Sequence, residues 1–198
     1  MIAQLLQMVQ FSVQSPKQGA QMVLDAKPAR EILWLMLALV VALSVILAQL
    51  MTYMVPVPND NGTLMPFQSS PVMFALIMWG LLVLMVFCTH YIGAMFGGTG
   101  EFDDSLTIVI WLQTILLVIQ AAQLVIALVS PSISGIIGLL FGLFSIWIFI
   151  NFVAVVHAFQ SLTYVFIGLI LSVFGVVFGL SMLFVFISIL FGWDLQNA

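Results

Sequence analysis

The chain of 198 residues is 64% hydrophobic and only 5% charged, with a net charge of −4 and a mean hydropathy of +1.31. A soluble domain runs near half apolar and a quarter charged, so a soluble globular class is excluded. Nucleic-acid binding needs a basic patch that three Lys and Arg residues do not supply, and the single cysteine, Cys88, excludes an internal disulfide or a multi-cysteine metal site.

At the start of the chain, Ile2, Leu5, Leu6 and Val9 recur at helical spacing between Gln4, Gln7 and Gln10. The pattern predicts a short amphipathic helix lying in the membrane interface. The same stretch has neither a basic region nor a small-residue cleavage site, so it does not read as a signal peptide. In "SPKQ", Ser15 takes the N-cap place, Pro16 the first helical position and Gln18 the place of a capping-box partner, which predicts a second short helix to about Ala26. Residues 1–30 therefore read as a cytoplasmic amphipathic segment, surface-bound and not spanning, before a transmembrane domain over residues 31–198.

Apolar runs of about 20 residues then recur, each long enough to cross the roughly 30 Å hydrocarbon layer as a helix. They do not alternate as the strands of an outer-membrane barrel would. The fold class is an all-α polytopic membrane protein with a bundle of five transmembrane helices. The spans are predicted at about 31–54, 72–92, 104–129, 133–156 and 164–191. Their punctuation is the loop "VPVPNDNGTLMPFQSSP", the glycine-rich acidic loop "GGTGEFDD", the "SPS" turn at Ser130 to Ser132 and the polar connection "HAFQSLT". Lys17, Lys27 and Arg30 are the only basic residues and all precede the first span, which predicts a cytoplasmic N-terminus and, after five crossings, a periplasmic C-terminus. His90, the acidic loop and His157 then share the cytoplasmic face.

Glu101, Asp103 and Asp104 crowd together in a chain nearly free of charge. The simplest reading is a helix start, where free backbone N–H groups and the positive end of the helix dipole favour carboxylates, with Gly97, Gly98 and Gly100 freeing the turn. A sharper reading joins His90, Glu101, Asp103, Asp104 and His157 as candidate ligands of a cation. A third makes the loop a cation-concentrating mouth or a dock for a basic partner. The glycines do not form a phosphate loop, since the lysine is missing and the neighbours are acidic. "SISG" lacks the glycine of a nucleophile elbow, so catalysis is not expected and no cofactor is called for.

Within the spans, Gln113, Gln120 and Gln123 fall on one helix face, which should turn toward the bundle interior. At about 1.5 Å per residue, Gln113 lies roughly 12 Å and Asn151 roughly 10 Å from the same membrane face. An interhelical hydrogen bond between them is expected, worth about 0.6 kcal/mol. Gly138 and Gly142 in the fourth span, and Gly168 with Ser172 and Gly175 with Gly179 in the fifth, have the spacing of close helix packing, predicting a tight hairpin or, alternatively, a dimer face.

The "SP" segment with its short helix, "FGGTGEFDDSL" between the second and third spans, five spans in all, and "FVAVVHAFQSLTYVFIGLIL" across the last connection resemble the Yip1 family in its bacterial branch. The resemblance extends from Ser15 to about Leu190 and implies a five-span fold with a cytoplasmic N-terminus. Eukaryotic members bind Rab GTPases in vesicle traffic, but the long cytoplasmic N-terminal region and "DLYGP"-like motif of that role are missing here. "WLQTILL" also stands where a proline is often seen in the third span. Rab binding is therefore not carried over. The expectation is a non-catalytic scaffold or assembly and trafficking partner in the bacterial inner membrane, with the lipid bilayer and other membrane proteins or itself as partners. The alternative is a small transporter or channel with a glutamine-lined path and an acidic mouth.

Overall fold

A computed structural model describes residues 2–54 and 70–191; the loop expected at 55–71 lies mostly outside the described residues, as does the tail after the last span. The described chain is helical throughout. Two short helices, α1 (Ile2–Gln14) and α2 (Pro16–Asp25), precede five long ones: α3 (Arg30–Met54), α4 (Pro71–Met95), α5 (Phe102–Val129), α6 (Pro131–Val156) and α7 (Leu162–Phe191). All five long helices have the length and apolarity to cross a membrane. Their bounds follow local chemistry. Pro71 and Pro131 open their helices behind Ser70 and Ser130, whose side chains accept from the N–H of Met73 and Ile133.

α5 is the central stem. Every residue from Ser105 to Ile115 is buried, because α3, α4, α6 and the N-terminal helices surround that half of it. The buried parts of the neighbours lie at the same level: Leu33 to Val45 of α3, Val86 to Gly93 of α4 and Ile148 to Val156 of α6. The bundle is therefore packed at the end that carries the α4–α5 and α6–α7 connections, and its helices expose long apolar sides toward the other end. α7 buries only Val165, Gly168 and Ser188 among its residues with described side chains.

Three packing expectations are corrected. α1 and α2 are short and do not span, but they are docked on the bundle: Val9, Ala20 and Val23 belong to the main core, and Trp111 Nε1 donates to the buried Ser12 Oγ at 2.9 Å. Ser15 is the N-cap of α2 with Pro16 behind it, yet its side chain makes no capping bond, so the capping box is not formed. A methyl added at Gly142, Gly175 or Gly179 would meet nothing within 4 Å among the described residues, so these glycines bring no described helix close. Gly138 does have a neighbour, the Gln123 side chain, with Nε2 2.8 Å from where a Cβ would stand.

Candidate functional site

Two helices end side by side at the packed end of the bundle, and both end in the same way. α4 closes on Gly97 at φ +85, with Gly98 N–H donating to Gly93 O and Gly97 N–H to Ala94 O. α6 closes on Ala158 at φ +55, with Phe159 N–H donating to Ala154 O and Ala158 N–H to Val155 O. These are Schellman endings. Glycine fills the left-handed position without strain in the first, whereas Ala158 fills it in the second at a cost of about 1 kcal/mol.

The second ending turns His157 inward. Its ring is 2% exposed and touches α4 and the loop after it. Gly100 N–H donates to Nδ1 at 3.4 Å, so Nδ1 is the unprotonated nitrogen and Nε2–H donates to the Thr89 carbonyl at 2.9 Å. The Thr89 carbonyl lies inside α4 and takes the imidazole N–H on its second lone pair. A Cβ on Gly93 or Gly98 would stand inside the imidazole, and one on Gly100 would stand 2.8 Å from the Val156 carbonyl oxygen. The glycines of "GAMFGGTG" thus serve two purposes: Gly97 turns the chain, Gly93 and Gly98 vacate the space that His157 fills, and Gly100 makes room for the neighbouring Val156.

The carboxylates have separate duties. Glu101 is the N-cap residue of α5, and its N–H donates to Asp104 Oδ2 at 3.1 Å, which is the helix start expected of the cluster. Asp103 pairs with Arg30 Nε at 2.7 Å and links α5 to the start of α3; exposed as both partners are, water screens the pair and it adds little to stability. His90 lies among the rings of Tyr91 and Phe102, 5.0 and 5.8 Å away between centroids, and its Nδ1 is buried without a partner among the described residues. The five candidate cation ligands are not brought together: no group of three or more His, Cys, Asp or Glu with metal-binding geometry occurs among the described residues. His157 has no lone pair to spare.

The glutamine stripe does face the bundle, with other partners than expected. Gln113 Nε2 donates to Ser44 Oγ at 3.3 Å and Gln120 Nε2 to the Ser44 carbonyl at 3.2 Å, so α5 is stitched to α3. Asn151 donates to Trp147 O of its own helix at 2.8 Å, and the Gln113–Asn151 bond is not made. The backbone carbonyl of Gln123 accepts from Ser134 Oγ at 3.0 Å, joining α5 to α6. Sequence spacing identified the buried face, but Ser44 carries no signal that separates it from any other serine in a span.

Burial holds the His157 pKa below its ordinary 6.5. The nearby His90 adds to this, while the Thr89 carbonyl and Asp104 oppose it. The neutral ring is thus the form that the fold holds. Between the folded pKa and 6.5 the unfolded chain binds more protons than the folded one, so stability is full above 6.5 and is lost as pH falls through that window. Melting temperature in detergent, scanned from about pH 7.5 to 5.5 in a His90→Gln background, should fall with acidification. His157→Gln should melt lower at neutral pH and show a flatter profile; an equal slope would remove His157 as the cause.

No curated protein and no solved structure matches the chain. The family model of the Yip1 domain matches residues 12–193, which takes in α2, all five spans and the His157 joint, and the chain belongs to the Yip1 family.

Proposed function

We propose that this integral membrane protein is a non-catalytic scaffold or assembly and trafficking partner in a bacterial cytoplasmic membrane. The observation that carries the reading is a division of labour along the bundle. At the packed end, His157 on Thr89 and Gly100, Asp104 on Glu101, and Asp103 on Arg30 all serve to hold the fold. The opposite half offers broad apolar sides, above all on α7, where Phe174, Phe178 and Leu180 are more than half exposed. Association inside a bilayer works through such lateral surfaces, by close packing without a water-driven term. The basic residues support a cytoplasmic N-terminus and a periplasmic C-terminus, since Lys17, Lys27 and Arg30 all precede or open α3. The bonds of Gln113 and Gln120 to Ser44 favour packing over a polar path.

A photo-crosslinking residue at Phe178 or Leu180, expressed in cells, should give one discrete adduct of fixed mass, whereas the same residue at Leu35 of α3 should not. Adducts equal at all three positions, or none at α7, would overturn the scaffold reading.

A further inference from the structure

α7 packs near its start, through Val165 and Leu169, against the end of α6 and leaves a half-open cleft between α4, α6 and itself. The cleft holds about 470 Å³, inside the range of roughly 300–1,000 Å³ typical of ligand sites. Its walls are almost wholly aliphatic and aromatic, among them Leu84, Ile146, Phe149, Leu169, Val173 and Val177. Along α7 the lining runs from Tyr164 to Val177, about 20 Å at 1.5 Å per residue. One leaflet of a bilayer, headgroup included, is roughly 20–22 Å deep. On α4 and α6 the lining likewise occupies the half nearer the packed end, reaching Phe96 and Val153.

That end of the cleft is closed by three rings at the level where the loops begin. Tyr164 meets Phe96 edge-on at 5.5 Å and Phe159 at 5.9 Å. Phe159 also walls a second cavity of about 240 Å³, lined by Lys17, Gln21 and Gln160. Lys17 is exposed and has no carboxylate within ion-pair distance among the described residues. An apolar slot one leaflet deep thus ends beside an unpaired cation and two amides.

We propose that this is a lipid site: one acyl chain of an anionic phospholipid lies between α4, α6 and α7, and its phosphate is held at Lys17. The depth, the lining and the charge all fit that one occupant. Cationic side chains at a membrane surface attract anionic headgroups, and an aromatic ring at the interface separates headgroup from chain. This goes beyond the scaffold reading and does not depend on it.

The full chain, reconstituted in phosphatidylcholine vesicles doped with a phosphatidylglycerol that carries a diazirine midway along one acyl chain, provides the test. After irradiation, mass spectrometry should place adducts at Ile146, Leu169 and Val173 in excess of those at the exposed Leu35 and Leu139. Gly168→Trp and, as an independent filling variant, Val173→Trp should each lower the cleft adducts about tenfold, a loss of roughly 1.4 kcal/mol of retention, without changing those at Leu139. Lys17→Gln should remove the preference for the glycerol headgroup over a choline probe of the same chain. Adducts that follow exposure alone and ignore both tryptophans would overturn the site. So would a cleft free of lipid but crosslinked to a second copy of α7.

Discussion

Gly93→Ala should lower the melting temperature by about 5–15 °C, and His157→Ala should restore part of the loss. The added methyl group would stand inside the His157 imidazole. That ring cannot swing aside, because it is 2% exposed and bonded to Thr89 O and Gly100 N–H. Overpacking costs about 1–3 kcal/mol, and pulling the buried His157 Nε2–H off its acceptor adds about 1–3 more. One kcal/mol moves the melting point of a chain of this length by about 2–4 °C. His157→Ala alone should also destabilise, since it empties the pocket. Combined, the methyl fills part of the space the ring has left, so the two losses should fall short of additive by about 1–3 kcal/mol. The measurement is a double-mutant cycle of melting in one detergent. Strict additivity would mean that the glycine and the histidine do not meet.

How much of this was legible in the sequence depends on the range of the interaction. Helix bounds are set by neighbours in sequence: Pro71 and Pro131 behind serines and the carboxylates at the start of α5 put the limits within three residues of the helix ends observed. The buried direction of the Gln113–Gln120–Gln123 face was also legible, because a glutamine in lipid is costly wherever its partner lies. The partner was not. Ser44 and Gln113 are joined across two helices, and spacing along one helix says nothing about which neighbour it meets.

His157 shows the same limit more sharply. It stood in the sequence as a candidate ligand, because a histidine beside carboxylates has that chemistry. The structure uses it as a space-filling, doubly bonded plug, which depends on α4 and α6 ending at one level and on three glycines 57 to 64 residues earlier. A signal was present: glycines at 93, 98 and 100 exceed what one turn needs, since Gly97 alone has positive φ. Surplus glycine in a loop implies something large packed against it. The GxxxG spacings misled for the opposite reason, as Gly142, Gly175 and Gly179 permit a close neighbour without supplying one.

The N-terminal helices give the second large effect, and it separates docking from mere adsorption to the membrane. Gly19→Ala should release α1 from the bundle, with a loss of about 2–4 kcal/mol. A Cβ on Gly19 would stand 2.7 Å from Ser12 Cα, which is backbone and cannot rotate away, so the two helices must part. Parting them breaks the Trp111–Ser12 bond at 2.9 Å and leaves the indole N–H buried without an acceptor. Ser12→Ala removes that bond alone and should cost about 1–3 kcal/mol, with α1 still in place. The two variants are distinguished by amide hydrogen exchange in α1. Exchange should rise sharply in Gly19→Ala but little in Ser12→Ala, because an amphipathic helix held only by the bilayer would keep its protection in both. If Gly19→Ala melts and exchanges like the unchanged chain, then α1 is carried by the lipid surface and the Val9 and Ser12 contacts do not hold it.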